Sequence, residues 1–221
     1  MANLMATSRF LLPPSLAASS APFRQPSIAP ACSTGSPMVD RLTGGIPRAT
    51  LTEICGAASS GRTSLLWSLL RHSTGSGEFC VVVDVQNTFD PVSAANAGIE
   101  LTRLLWVRCS GNVEHALKAT DLLVRAGGFG VVILDLFDTP SRLTRRIPLT
   151  SWFRLRHGAE QSGAALVVTD KQIQASSCSR LQIEVRQEHP LWSAKLLQGL
   201  TAVAGLRKRN LQPAALFQIV R

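Results

Sequence analysis

Apolar and polar positions along the chain predict an alternation of strands and helices. Short, continuous apolar runs, typical of strands covered on both faces of a sheet, occur at 79–83, 103–107, 131–134 and 164–169. Apolar residues at helical spacing predict helices at 62–73, 91–97, 112–126 and 150–161. Further strands are predicted at 181–186, 200–206 and 214–220. The alternation predicts a doubly wound α/β fold with a mostly parallel sheet and a β-rich C-terminal edge.

A small-residue loop joins the apolar strand at 51–56 to the first long helix. It fits the phosphate-binding pattern G-x-x-x-x-G-K-[ST], except that Arg62 stands where lysine is expected. Backbone N–H groups of such a loop turn toward an anion, and the helix N-terminus adds its positive dipole. We expect ATP phosphates on this loop and the Thr63 hydroxyl on Mg²⁺. A ligand-free turn is the alternative. The loop residues are Gly56, Ala57, Ala58, Ser59, Ser60, Gly61, Arg62, Thr63 and Ser64.

A second motif closes the strand at 131–134. The strand ends on Asp135 about seventy residues after the phosphate loop, and a carboxylate at such a place holds the Mg²⁺ of a bound nucleotide. An acid at a strand end is also a common turn residue. Because ligands of these sheets gather at the carboxyl ends of the strands, we expect the loop, the segment 84–86 and Asp135 to lie together. The combination favours a nucleotide site.

Composition limits the domain organisation and the cellular setting. A chain of 221 residues with 45% hydrophobic content suits one well-packed domain, predicted at 33–221. Residues 1–32 are rich in Ala, Ser and Pro and contain no acidic residue, which predicts a flexible or disordered tail. We expect a cytoplasmic protein without a membrane span, since no apolar run approaches roughly 20 residues. The alternative is an organellar protein, if the tail is a transit peptide.

The five cysteines are scattered and predict neither a disulfide framework nor a zinc site.

The net charge of +9 is unevenly placed along the chain. Residues 1–141 carry ten basic and ten acidic side chains, whereas residues 142–221 carry thirteen basic and four acidic ones. A one-sided basic surface indicates a nucleic-acid or phosphate-rich partner. A solvated basic face that serves solubility is the alternative.

Nine short stretches follow one another in a characteristic order and spacing. They are Ser33–Ser36, Gly44–Pro47, 51–66, 82–91, Gly98–Leu105, Glu114–Leu117, Val131–Asp135, Leu206–Pro213 and Phe217–Ile219. In this order and spacing they resemble the ATPase core of the RecA recombinase family, over roughly residues 33–221. The resemblance implies a RecA-like P-loop fold, ATP and Mg²⁺ as cofactors and single-stranded DNA as partner. It also implies filament-like self-association and a role in recombination, repair or the damage response.

The chain departs from the family pattern at positions that matter for hydrolysis. Gln86 stands where the family has the glutamate that polarises the attacking water, and an amide cannot act as a base. Arg62 is a bulkier, planar cation than lysine. Lys171 stands where the family keeps a glutamine that senses the γ-phosphate. We therefore expect ATP hydrolysis to be weak or lost.

The resemblance also assigns roles to basic residues. Arg142, Arg145 and Arg146 match the first DNA-binding loop, while Lys171 and Arg180 bracket the second, and both loops are reduced in length. Contacts of this kind give salt-sensitive binding that ignores base sequence. Arg207 and Arg209, with Lys208 between them, match the segment that reaches a neighbouring subunit's nucleotide. A plain basic turn is the alternative for that segment.

Three functional hypotheses follow. The reduced loops and altered nucleotide site are similar to the RecA-like accessory proteins of bacterial mutagenesis cassettes (the ImuA type), which are partners of an error-prone polymerase and a RecA filament. The first hypothesis is a weakly ATP-binding, DNA-associated repair protein of the SOS or translesion response. The second is a catalytically silent interaction module that recruits a polymerase or a RecA filament. An active DNA-dependent ATPase is the third.

Overall fold

The computed structural model describes residues 31–193, 196–207 and 214–220. Strands β1–β8 span Thr50–Gly56, Phe79–Asp84, Leu104–Arg108, Phe129–Asp135, Ala165–Asp170, Leu181–Ser193, Leu196–Leu206 and Ala214–Val220. Helices α1–α6 span Pro37–Thr43, Arg62–Gly75, Pro91–Asn96, Val113–Ala126, Ser141–Thr144 and Leu149–Ser162. Short 3₁₀ turns lie at Leu101–Arg103 and Ser176–Cys178.

The strands form one sheet in the order β3-β2-β4-β5-β1-β6-β7-β8. Strands β1 to β6 pair in parallel, whereas β7 and β8 add an antiparallel edge. The predicted α/β class, the mostly parallel sheet and the β-rich C-terminal edge are confirmed. In the register, Asp84 lies opposite Asp135, and Cys55 lies opposite Asp170. The carboxyl ends of β1, β2, β4 and β5 therefore meet at one edge, where ligands of such sheets bind.

The core consists of two apolar clusters, one on each face of the sheet. Helices α1 and α2 cover one face, where Leu65 and Leu69 pack on the side that Ile133 and Val167 share. Helices α4 and α6 cover the other face through residues such as Trp152. Strands covered on both faces must be apolar at successive positions, which explains the continuous runs in the sequence.

The described part of the chain begins at residue 31, and its first residues are packed against the segment before β1. Cys32 is buried, and its backbone N–H and C=O both bond with Ile46, at 2.8 and 2.7 Å. The prediction for residues 1–32 otherwise falls on residues 1–30, which lie outside the described part of the chain. Within the described part, no helix combines the length and the apolar character needed to cross a bilayer.

Candidate functional site

The phosphate loop lies between the end of β1 and the start of α2, and two of its positions accept only glycine. A Cβ atom on Gly56 would lie 2.5 Å from both the Ser60 Oγ and the Val185 carbonyl oxygen. Gly61 has φ +93°, and a Cβ there would lie 2.8 Å from Ile219 Cδ1. The loop is therefore a tight turn, supported from beneath by β6 and β8.

The outer part of the loop is open to solvent. Ala57, Ala58 and Ser59 are exposed, and Thr63 is exposed in the first turn of α2. Gly61 caps this helix without a side-chain hydrogen bond, and the first N–H groups of a helix have no acceptor within it. Within the loop, the Ser60 N–H bonds to the Ala57 carbonyl oxygen at 3.3 Å, and the Arg62 N–H bonds to Ser60 Oγ at 3.4 Å. An anion can still approach the exposed backbone at 57–59 and the first turn of α2, and this geometry fits a phosphate group.

Arg62, by contrast, is turned inward. Only 3% of the residue is exposed, and Nη1 donates to the carbonyl oxygens of Gly56 and Asp170 at 3.2 and 3.3 Å. The guanidinium carbon lies 3.3 Å from the centre of the Phe137 ring, and the buried Nε–H has no acceptor. Burial lowers the pKa of Arg62, while Asp135 and Asp170 oppose that change. The cation is held by backbone carbonyls and a ring.

Asp135 lies at the end of β4, and strand β5 lies between β4 and β1 in the sheet. Its Oδ1 accepts the backbone N–H of Phe137 at 3.0 Å. Burial raises the pKa of Asp135 to about 6, although that hydrogen bond and Arg62 work in the other direction. Strand spacing places the ends of β4 and β1 roughly 10 Å apart. A metal bound to a phosphate on the loop could use Asp135 through water.

Gln86 lies in the turn that follows β2, and the backbone of this turn bonds to the end of β4. Val85 donates its N–H to the Asp135 carbonyl oxygen at 3.2 Å, and the Gln86 N–H bonds to Asp84 Oδ1 at 3.1 Å. Asp84 is buried and also accepts from the backbone of Phe89 and the indole of Trp106. Asp84 therefore shapes the turn after β2. The half-buried Gln86 side chain lies near Gly111, after β3, where its Oε1 would be 3.9 Å from a Cβ atom, and its amide cannot take up a proton.

Glu53 is a structurally important residue that the sequence predictions missed. This glutamate of β1 is 2% exposed, and its Oε1 accepts the N–H groups of Gln174 and Ala175, both at 2.6 Å. Its Oε2 accepts from Gln182 Nε2 at 3.3 Å. Glu53 thereby ties the segment 171–180 to the strand that carries the phosphate loop. The signal in the sequence was a single acid in an otherwise uncharged strand.

The five candidate DNA-binding residues are all exposed. Arg142 lies in α5 and Arg145 and Arg146 follow it, while Lys171 and Arg180 lie at the two ends of the segment before β6. Arg145 Nη2 donates to Gln172 Oε1 at 3.4 Å, so the two basic segments lie side by side. Lys171 Nζ pairs with Asp138 at 3.5 Å. Exposed pairs of this kind contribute little to stability, which leaves the cations available to a partner.

Arg207 follows β7 and lies near the phosphate loop of its own chain. Burial raises the pKa of the Cys55 thiol to about 11, while the nearby Arg207 cation works in the other direction. Together with Gly56, Ser60 and Lys171, Arg207 lines an open cavity of about 1300 Å³. Arg209 and Lys208 lie outside the described residues. In the described part of the chain, no group of three or more His, Cys, Asp or Glu residues could hold a metal ion.

Comparisons with known proteins agree with this geometry. Residues 24–143 match the profile of the RecA N-terminal domain. Protein RecA of Deinococcus radiodurans is 39% identical over 105 residues, which are 47% of this chain and 29% of that protein. Protein RecA of Wigglesworthia glossinidia brevipalpis is 36% identical over 107 residues, 47% of this chain and 31% of that protein. The chain thus matches about three-tenths of the length of these relatives.

Proposed function

This chain belongs to the RecA family, and on that premise we propose that it is a nucleotide-binding, DNA-associated protein of DNA recombination and repair whose ATP hydrolysis is weak or lost. The observation that carries the proposal is the phosphate loop. Its residues 57–59 are exposed next to the N-terminus of α2, while its side-chain cation, Arg62, is bound elsewhere.

The residues present fit a nucleotide held mainly by backbone groups. Amides of the loop and of the first turn of α2 would bind the phosphates. Thr63 and Asp135 would hold Mg²⁺, the latter through water, and this ion would supply charge neutralisation for the phosphates. A phosphate-bound Mg²⁺ needs only one or two protein ligands, so a complete cage of acids is not required.

The same residues do not fit fast hydrolysis. A general base must accept a proton, and the position where the family has a glutamate holds the amide of Gln86, which cannot do so. Arg62 would have to leave two carbonyls and the Phe137 ring before it could contact a transferring phosphoryl group. We therefore expect phosphate release at background levels, against the third hypothesis of an active DNA-dependent ATPase.

The DNA part of the proposal rests on the joined basic segments. Arg145 contacts the segment that begins at Lys171, so both cations and their neighbours can follow one phosphate backbone. Binding would depend on counterion release, with a slope of log affinity against log salt of roughly −0.7 for each phosphate of single-stranded DNA that is neutralised. Self-association of the filament type would extend this surface along the DNA.

Within the family, we propose that the protein is closest to the ImuA-type accessory proteins and that it acts in the SOS or translesion response with a polymerase partner. The short segment between β5 and β6 supports this assignment. A second candidate function is a silent RecA-fold module that recruits a polymerase or a RecA filament. The inward position of Arg62 favours this second candidate.

The deciding experiment is calorimetric titration with MgATP, with and without single-stranded DNA. Saturable binding, weakened severalfold by Thr63→Ala and unchanged by the control Thr102→Ala, would support the nucleotide-binding proposal. Thr102 is exposed in the 3₁₀ turn after α3 and serves as a matched control. No binding at millimolar MgATP would instead support the second candidate function, the silent RecA-fold module. Robust turnover would show that the hydrolysis argument is wrong.

The DNA proposal has its own test. Single-stranded DNA affinity should fall steeply between 50 and 200 mM salt, and the double change Arg145→Glu with Arg146→Glu should reduce both the affinity and the salt slope. The matched control is Arg41→Glu, which reverses an exposed charge on α1, away from both basic segments. Equal losses for each reversed charge in the two proteins would reduce the effect to net charge and refute the assignment.

A further inference from the structure

Phe137 lies in contact range of two cations beside the candidate nucleotide site. The guanidinium carbon of Arg62 is 3.3 Å from the centre of its ring, and Lys171 Nζ is 5.2 Å from that centre. Cations over an aromatic face are attracted by the ring quadrupole, more strongly where water is excluded. Since Arg62 is buried, its contact is of the stronger kind.

Two further interactions hold Arg62 in this position. Its Nη1 bridges the carbonyl oxygen of Gly56, at the start of the phosphate loop, and that of Asp170, at the end of β5. An outward movement of the guanidinium would break both hydrogen bonds and leave buried carbonyls without this donor. Lys171 differs, because its ion pair with Asp138 is exposed and weak. Arg62, unlike Lys171, is therefore held within the protein.

The position of the Arg62 side chain determines which phosphates of a bound nucleotide the site can recognise. In loops of this pattern the backbone amides cradle the α- and β-phosphates, while the cationic side chain reaches the β- and γ-phosphates. Here the exposed backbone at 57–59 and the first turn of α2 are open to an anion, whereas the Arg62 side chain is held by two carbonyl oxygens. The contacts that remain therefore recognise the part that nucleoside diphosphates and triphosphates share.

We propose that Phe137 and the Asp170 carbonyl hold Arg62 away from the phosphate site, so that the site binds nucleoside diphosphates and triphosphates with nearly equal affinity. This inference rests on the proposed nucleotide binding and names its ligand class. Phe137 acts as a positioning residue, and Arg62 determines specificity for the third phosphate.

The test is a pair of titrations with ADP and ATP in the presence of Mg²⁺, with the β,γ-imido analogue of ATP as a check against hydrolysis. The natural sequence should bind ATP and ADP within about threefold of each other. Phe137→Leu should free Arg62 and give a preference for ATP of roughly tenfold or more, the size expected of a charged hydrogen bond. The matched control, Phe153→Leu, changes a half-exposed phenylalanine on α6.

Arg62→Lys is the second variant, because an ammonium cannot lie flat on the ring and can reach the phosphates as a point charge. It should shift the ATP to ADP ratio in the same direction, and Arg71→Lys in the same helix should not. A preference of the natural sequence for ATP above about tenfold would overturn the inference, even if neither variant folds. An unchanged ratio in both folded variants would also overturn it. Absence of binding by either nucleotide would refute the proposed function itself.

Discussion

Replacement of Asp135 by asparagine should stabilise the nucleotide-free protein at neutral pH. Burial raises the pKa of this carboxyl from 3.8 to about 6, so the folded state holds its proton more tightly than the unfolded chain does. Stability contributed by the neutral form is complete below about pH 4 and is lost as the pH rises toward 6. At about 1.4 kcal/mol for each pH unit, the loss at pH 7.5 is about 3 kcal/mol at most.

Asparagine keeps the Oδ1 atom that accepts the Phe137 N–H, and it carries no charge. We therefore expect Asp135→Asn to raise the free energy of unfolding by about 1–3 kcal/mol at pH 7.5, with the gain vanishing near pH 4. Urea unfolding of both proteins from pH 4 to 7.5, with EDTA, measures this difference. The control is Asp90→Asn, because hydrogen bonds to Ser93 hold the pKa of the exposed Asp90 low. A pH-independent gain, or a loss at pH 7.5, would refute the reasoning.

Three further predictions concern the loop and its supports. Gly61→Ala should lower the free energy of unfolding by about 2–4 kcal/mol, because backbone strain and the close contact with Ile219 add. The control Gly77→Ala has a similar φ of +88° but open space around the new methyl group, so it should cost about 1 kcal/mol. Urea unfolding measures both. Glu53→Ala should cost about 3 kcal/mol or more and speed hydrogen exchange at 174–175, while Thr52→Val, which removes a buried hydroxyl without a partner, should be near neutral. Gln86→Glu should raise phosphate release above background, and an unchanged rate would show that another step limits hydrolysis.

The fold could be predicted from the sequence because its strands are covered on both faces. Runs such as 79–83 and 131–134 are apolar at every position, so their boundaries are visible in a single sequence. The tight turn between β1 and α2 was equally visible, since it restricts the residue types at Gly56 and Gly61. Local chemistry was sufficient for both.

The position of the Arg62 side chain could not be predicted in this way. It depends on the Asp170 carbonyl, 108 residues away along the chain, and on a ring after β4, which the sheet order brings together. The role of Glu53 depends in the same way on amides at 174–175. Contacts between distant parts of the chain decide whether a recognised motif keeps its usual chemistry.

The antiparallel edge has a consequence for any attempt to make a smaller version of this protein. Ala202 of β7 and Ile219 of β8 lie against Gly61, so the last strands form the floor on which the phosphate loop rests. A truncation before β8 would therefore affect more than a peripheral appendage: ligand affinity and thermal resistance should decline together, although every residue of the motif is still present.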